Sequence, residues 1–128
     1  PDDIPFSIGV NCSKEFLSIS DFSVVTSGTA TLEAAVLGCS PIICYKTNAI
    51  NYSIISRMLK VKHVGLPNLL LNSRIYPELI QKDCSADSIL IEVETMQNKR
   101  ADNDHERRIR DLLSGIGYEE AAYKITSL

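Results

Sequence analysis

Apolar and polar positions divide this chain into short β-branched runs and stretches with helical spacing. PFSIGV (5–10) has strand composition, and NCSKEFLSISD (11–21) reads as a short helix and a turn. FSVVTS (22–27) is β-branched and apolar, which predicts a buried strand. ATLEAAVLG (30–38) predicts a helix with Leu32, Ala35, Val36 and Cys39 on one face, stopped by Gly38 and then Pro41. PIICYK (41–46) is a further apolar strand. A strand, a helix and a strand joined by short connections make a βαβ unit, and so a parallel sheet.

Downstream, Thr47 or Asn48 caps a predicted helix over 49–60, with Ile50, Ile54, Ile55, Met58 and Leu59 at helical spacing. VKHVGL (61–66) is a candidate third parallel strand that stops at Pro67, because proline forces its predecessor into extended geometry. PNLLLNSR (67–74) then reads as a loop, and Pro77 opens a short helix, PELIQ. Ser85 caps a helix over 86–97 whose Ile89, Leu90, Val93 and Met96 share a face. The charged run NKRADNDHERR (98–108) reads as a solvated helix start. Ile109, Leu112 and Leu113 continue that helix until Gly115 and Gly117, and YEEAAYKITS forms a last one. Strands alternate with helices first, and helices alone follow.

Composition narrows the class. The 128 residues are 45% hydrophobic and 23% charged, enough for one ordinary core and unlike a disordered chain. A net charge of −3 argues against a dedicated nucleic-acid binder. No apolar stretch approaches the roughly 18 residues of a membrane span. The opening PDDIP carries no signal-peptide pattern, and without a starting methionine the chain is expected to be a fragment or a processed piece. Cys12, Cys39, Cys44 and Cys84 form no C-x-x-C pair, and His63 and His105 lie far from them. That spacing suits reduced, mostly buried thiols in a cytosolic protein rather than a metal site.

Chemistry is expected beyond the carboxyl ends of the strands, where open parallel sheets bind ligands. TSGTATLE (26–33) falls there, and so does LPNLL (66–70). A capping box needs Ser or Thr three residues before the Glu, but that place before Glu33 is Ala30. Glu33 then has two readings. It complements the positive end of its helix, or it binds a ligand. The second accounts for Ser27, Gly28 and Thr29 as well, since a helix start with free N–H groups is an anion site that a glycine lets a phosphate approach. A carboxylate one turn on suits sugar hydroxyls rather than phosphate. Asn68 alone reads as a side-chain turn bond or a crevice residue, and Tyr45–Lys46 as a surface pair. No Ser/His/Asp set, Cys/His set or Walker loop is present.

DFSVVTSGTATLEAAVLGCSPIICYK, then LPNLL, then PELIQ followed by a cysteine, resembles the C-terminal portion of the lipid-A-disaccharide synthase family. The likeness runs from about Asp21 to about Ser85 and more loosely to the chain end. It implies an α/β fold: a partial Rossmann-like parallel sheet with flanking helices, the C-terminal half of a GT-B glycosyltransferase, with a helical C-terminus. On this reading 1–128 is part of a UDP-sugar-binding domain, α/β over 1–84 and helical over 85–128. The family activity joins UDP-2,3-diacylglucosamine to 2,3-diacylglucosamine 1-phosphate with inversion, giving lipid A disaccharide 1-phosphate and UDP.

By the same resemblance Ser27, Gly28, Thr29 and Ala30 lie near the diphosphate, Glu33 near the ribose, and Asn68 in the nucleotide crevice. Arg74 and Glu78 match family positions less closely. No metal or other cofactor is implied. The implied partners are the two sugar substrates and the inner membrane surface, with a possible homodimer and no nucleic acid. The implied location is cytoplasmic and peripheral to that membrane. The carboxylate expected as general base belongs to a domain this chain does not include, so no catalytic residue is expected here. Other readings are a 2-epimerase or a peptidoglycan transferase of the same layout, or a non-catalytic α/β remnant.

Overall fold

The computed structural model describes residues 3–26, 28–48, 51, 63–99 and 104–114. The fold is α/β, a three-stranded parallel sheet flanked by helices, consistent with a partial Rossmann-like fold. Its elements are α1 (Ser13–Ile19), β1 (Phe22–Thr26), α2 (Thr29–Val36), β2 (Ser40–Tyr45), α3 (Leu66–Leu71), β3 (Glu78–Ile80), α4 (Ala86–Asn98) and a helix over 104–114, α5. The sheet order is β1-β2-β3.

The βαβ unit forms as the apolar runs predict. Val24 pairs with Ile42 and Val25 with Ile43 in a parallel register. The helix between them ends at glycine: Gly38, at φ +82°, donates to the Ala35 carbonyl, and Cys39 donates to that of Ala34. Those two bonds satisfy carbonyls that the last turn leaves unpaired. Arg110 of α5 adds two hydrogen bonds to the Val36 carbonyl, at 2.9 and 2.7 Å. A cation thus sits at the negative end of α2.

Strand alternation gives the sheet two faces. Ile43 faces α2, α3 and α5, in a core with Leu32, Ala35, Leu71, Tyr76 and Ile109. Ile42, Cys44 and Leu79 face α4, which packs Ile89, Val93 and Met96 on them. Ser85 caps α4 as predicted, accepting from the Ser88 N–H. Leu90, expected on the packed face, is 57% exposed.

Several expectations change. Residues 5–10 are not a strand: Ile4, Phe6, Ile8 and Val10 are exposed, and their backbone has no neighbouring strand among the described residues. β1 is only half buried, because α4 covers β2 and β3 and leaves Val24 open at the sheet edge. The third strand is β3, and the described part of the expected one, 63–66, does not pair in the sheet: Leu66 begins α3, and Pro67 sits in the first turn of that helix. Proline fits there because the first N–H groups of a helix have no partner within it. PELIQ, expected as a helix, is the strand instead. The Ile43 N–H donates to the Pro77 carbonyl at 2.9 Å, and Leu79 inserts into the α4 side of the core.

The helix predicted over 49–60 falls mostly outside the described residues. Of it only Asn51 is described, and its N–H donates to Asn48 Oδ1 at 2.8 Å, the bond a capping Asn48 makes. Residues 61–62 and the helix predicted after Gly117 also lie outside them. No described helix is long and apolar enough to cross a membrane.

Candidate functional site

The strands end at Thr26, Tyr45 and Ile80, and the chain leaves this edge of the sheet towards α2, towards residues 46–48 and through Gln81. Gly28 is the residue before α2. Its φ of +142° and ψ of −165° belong to a region that side chains avoid, and a Cβ built there meets nothing within 4 Å. Glycine is therefore needed by the backbone, while the space beside it is open. No side chain caps α2 among the described residues. Thr31 fixes this turn from inside. It is fully buried, its hydroxyl donates to the Gly28 carbonyl at 2.6 Å, and its N–H donates to the same oxygen at 3.1 Å.

Thr29 and Ala30 are exposed in the first turn, and Ser27 lies outside the described residues. Glu33 is half-buried one turn beyond Thr29, and no described side chain or backbone group bonds its carboxylate. This edge thus presents the positive end of a helix with a carboxylate one turn behind it.

A second cluster forms around Glu78. Its side chain is 5% exposed, and its carboxylate accepts from the Gly65 N–H at 2.9 Å, the Val64 N–H at 3.1 Å and Asn68 Nδ2 at 3.0 Å. His63 Nδ1 lies 3.9 Å from Oε2. Gly65 rests directly on Ile43, where an added Cβ would fall 2.2 Å from a side-chain carbon. Asn68 is fully buried. Its amide donates to the Tyr76 carbonyl as well as to Glu78, and its oxygen accepts from Ile75 and Tyr76 N–H at 3.0 Å each. Its donors and acceptor are engaged in holding α3 to the approach of β3. Arg74 is exposed, 3.5 Å from the Glu78 carbonyl, at the limit of a hydrogen bond.

Gln81 makes a reciprocal clamp. Its amide oxygen accepts from the Thr47 N–H at 2.8 Å, and its nitrogen donates to the Thr47 carbonyl at 2.9 Å. It thereby extends pairing between β2 and β3 beyond their last ladder residues.

A cavity of about 850 Å³ lies at the opposite end of the sheet, beside Phe22, Ser40 and Pro77. A smaller one of about 580 Å³ runs along β3 between His63, Arg74 and Lys82. All four cysteines are free, with Cys39 and Cys44 buried. Burial raises the Cys39 thiol, and burial together with neighbouring Cys84 pushes Cys44 up to about 11. Neither is a thiolate nucleophile at neutral pH. No group of three or more His, Cys, Asp or Glu side chains among the described residues is placed to hold a metal.

Sequence reasoning thus singled out the start of α2 and Asn68 but missed Thr31 and Gln81. Glu78 was noted without a role. Thr31 carries no local signal, since only its burial reveals the bond it makes. Gln81 stood in the quoted PELIQ run, yet its partner lies 34 residues away.

Comparison with known proteins adds independent weight. Residues 5–125 match the family model described as lipid-A-disaccharide synthetase. The lipid-A-disaccharide synthase of Methylobacillus flagellatus is 35% identical over 129 residues, covering 98% of this chain and 34% of that protein. That of a Sulfurihydrogenibium species is 34% identical over 119 residues, covering 92% of this chain and 31% of its own length. That of Neisseria meningitidis serogroup A is 41% identical over 80 residues, covering 62% and 21%. The chain therefore spans about a third or less of these relatives. A family match over nearly all of the chain, falling on a parallel βαβ unit, places it in the lipid-A-disaccharide synthase family.

Proposed function

We propose that this chain forms the donor side of an inverting glycosyltransferase of lipid A biosynthesis, part of a C-terminal UDP-sugar-binding domain. The reaction moves 2,3-diacylglucosamine from UDP to the 6-hydroxyl of 2,3-diacylglucosamine 1-phosphate, yielding lipid A disaccharide 1-phosphate and UDP. The observation that carries this reading is the start of α2: a glycine with open space beside it, at the carboxyl end of β1, before a helix that no described side chain caps. Ser27 to Ala30 receive the diphosphate. Their N–H groups offset the charge that builds on departing UDP, without reorganising as it forms. Glu33 accepts hydrogen bonds from the ribose hydroxyls. Asn68 serves the crevice from beneath, by setting the backbone around it. The general base comes from outside this chain, and no metal takes part. The working location is the cytoplasmic surface of the inner membrane, where the acylated substrates lie.

Titration calorimetry of the 128-residue chain with UDP tests the proposal. Binding is expected in the millimolar range or tighter, and Glu33→Ala should weaken it about tenfold or more, the worth of a charge-assisted hydrogen bond. An absence of heat at millimolar UDP overturns the donor reading for this chain. Unchanged affinity in Glu33→Ala removes Glu33 from the site.

A further inference from the structure

Glu78 is an unusual group to find inside a small sheet. It is a carboxylate, nearly sealed from solvent, on a strand of three residues. A buried carboxylate is costly unless several donors meet it. Here the donors are two consecutive backbone N–H groups, of Val64 and Gly65, and the Asn68 amide. The N–H pair has the form in which loops bind anions. The chain has supplied its own anion.

We infer that Glu78 is a positioning residue of the ligand crevice: its carboxylate occupies the Val64–Gly65 turn, fixes it against Ile43, and leaves the start of α2 as the seat for a ligand's anionic group. The anionic ligand is a nucleoside diphosphate, and that part of the inference rests on the function proposed above. The geometry supports the latch separately. Ile43 pairs with Glu78 across the sheet, so both side chains stand on the face that α2 and α3 cover. Gly65 packs so closely on Ile43 that an added Cβ would have to displace the Ile43 side-chain tip, and it would also press on the Glu78 carboxylate. Asn68 bonds Glu78 and the Tyr76 carbonyl with one nitrogen, tying the latch to the segment that leads into β3.

The latch predicts chemical rescue. Glu78→Ala leaves a carboxylate-sized vacancy lined by the Val64 and Gly65 N–H groups and Asn68 Nδ2. Glu78→Gln fills the same space but turns an N–H donor towards donors. The experiment uses the 128-residue chain, reads the Val64 and Gly65 amide resonances by ¹H–¹⁵N NMR, and measures UDP affinity with and without sodium acetate, with sodium chloride as the ionic control.

Both variants are expected to shift the two amides and weaken UDP binding about tenfold. Acetate should restore the amide positions and the affinity of Glu78→Ala, but not those of Glu78→Gln. A purely structural loss would not respond to acetate over chloride. Amides unmoved in both variants overturn the latch, as does equal response of the two variants to acetate. Amides that move and recover while UDP affinity stays at the wild-type value overturn the positioning role. If the wild-type chain binds no UDP, the donor reading fails, and the amide and acetate results still decide the latch. If Glu78→Ala does not fold, folding regained with acetate but not chloride supports the latch, and no recovery with either overturns it.

Discussion

The start of α2 and the turn that leads into α3 both offer backbone N–H groups on the same face of one small sheet, and they differ in what meets those groups. Before α2 the backbone takes a glycine-only conformation, no described side chain caps the helix, and space beside Gly28 is open. Before α3 the Val64 and Gly65 N–H groups meet Glu78, and Asn68 completes the set. One region is finished internally. The other has its scaffold finished, through Thr31 beneath and Arg110 at the far end, but not its rim. Buried polar groups in folded proteins are satisfied almost everywhere. The N–H groups at the start of α2 are exposed, no described side chain caps them, and space beside Gly28 is open, so they can meet water or a ligand, which the plugged turn cannot.

The most damaging way to test this contrast is Asn68→Ala. It strips the shared acceptor from the half-buried Ile75 and the buried Tyr76 N–H groups and a donor from Glu78. Each such loss costs about 1–3 kcal/mol, so the variant should lose about 3 kcal/mol or more, seen as a lower urea midpoint. If Asn68 served mainly as a ligand contact, the variant would instead keep its midpoint and lose UDP affinity. Next in size is Gly28→Ala. Its methyl group meets no neighbour, so the expected loss of about 1–3 kcal/mol is backbone strain alone. UDP affinity should fall further than stability accounts for, because the methyl stands where the phosphate approaches. A variant of wild-type stability and affinity would remove Gly28 from the contrast.

The finished and unfinished regions were not equally legible in the sequence. The βαβ unit could be read because FSVVT and PIICY are short strand-type runs rich in β-branched and apolar residues on either side of a helix that ends in glycine. The start of α2 stood out because Ser27, Gly28, Thr29 and Glu33 are a composition that a plain helix start does not need. The region from 61 to 80 misled, and proline is the reason. Pro67 and Pro77 suit the first turn of a helix and the beginning of an edge strand equally well. Here Pro67 takes the first role and Pro77 precedes the strand, the reverse of the local reading. Tertiary bonds separate the alternatives, above all the carboxylate of Glu78 on N–H groups 13 and 14 residues earlier. Backbone donors are identical at every residue except proline, so no pattern of side chains announces them. Residues 5–10 show the converse: Ile4, Phe6, Ile8 and Val10 alternate as a strand should, but pairing is a property of two segments, and the second is not among those described.

The smallest effect at neutral pH is expected at Tyr76, on the finished side. Burial first, and Glu106 second, push its phenol up to about 12 from an ordinary value near 10. A raised folded-state value means that the folded chain holds the phenolic proton more tightly than the unfolded chain. The associated stability is fully present below pH 10 and is lost as the pH climbs from 10 towards 12. Cys44, pushed up to about 11, adds a loss of the same sign from about pH 9 upward. Tyr76→Phe keeps the ring in the core and removes the titrating group, so it should nearly match wild type at pH 8. Between pH 10 and 12 its thermal midpoint should fall less steeply than that of wild type. Parallel decline of the two proteins would mean that Tyr76 ionises in solvent. The core around Asn68, whose oxygen accepts from the Tyr76 backbone, would then open to water at high pH before it unfolds.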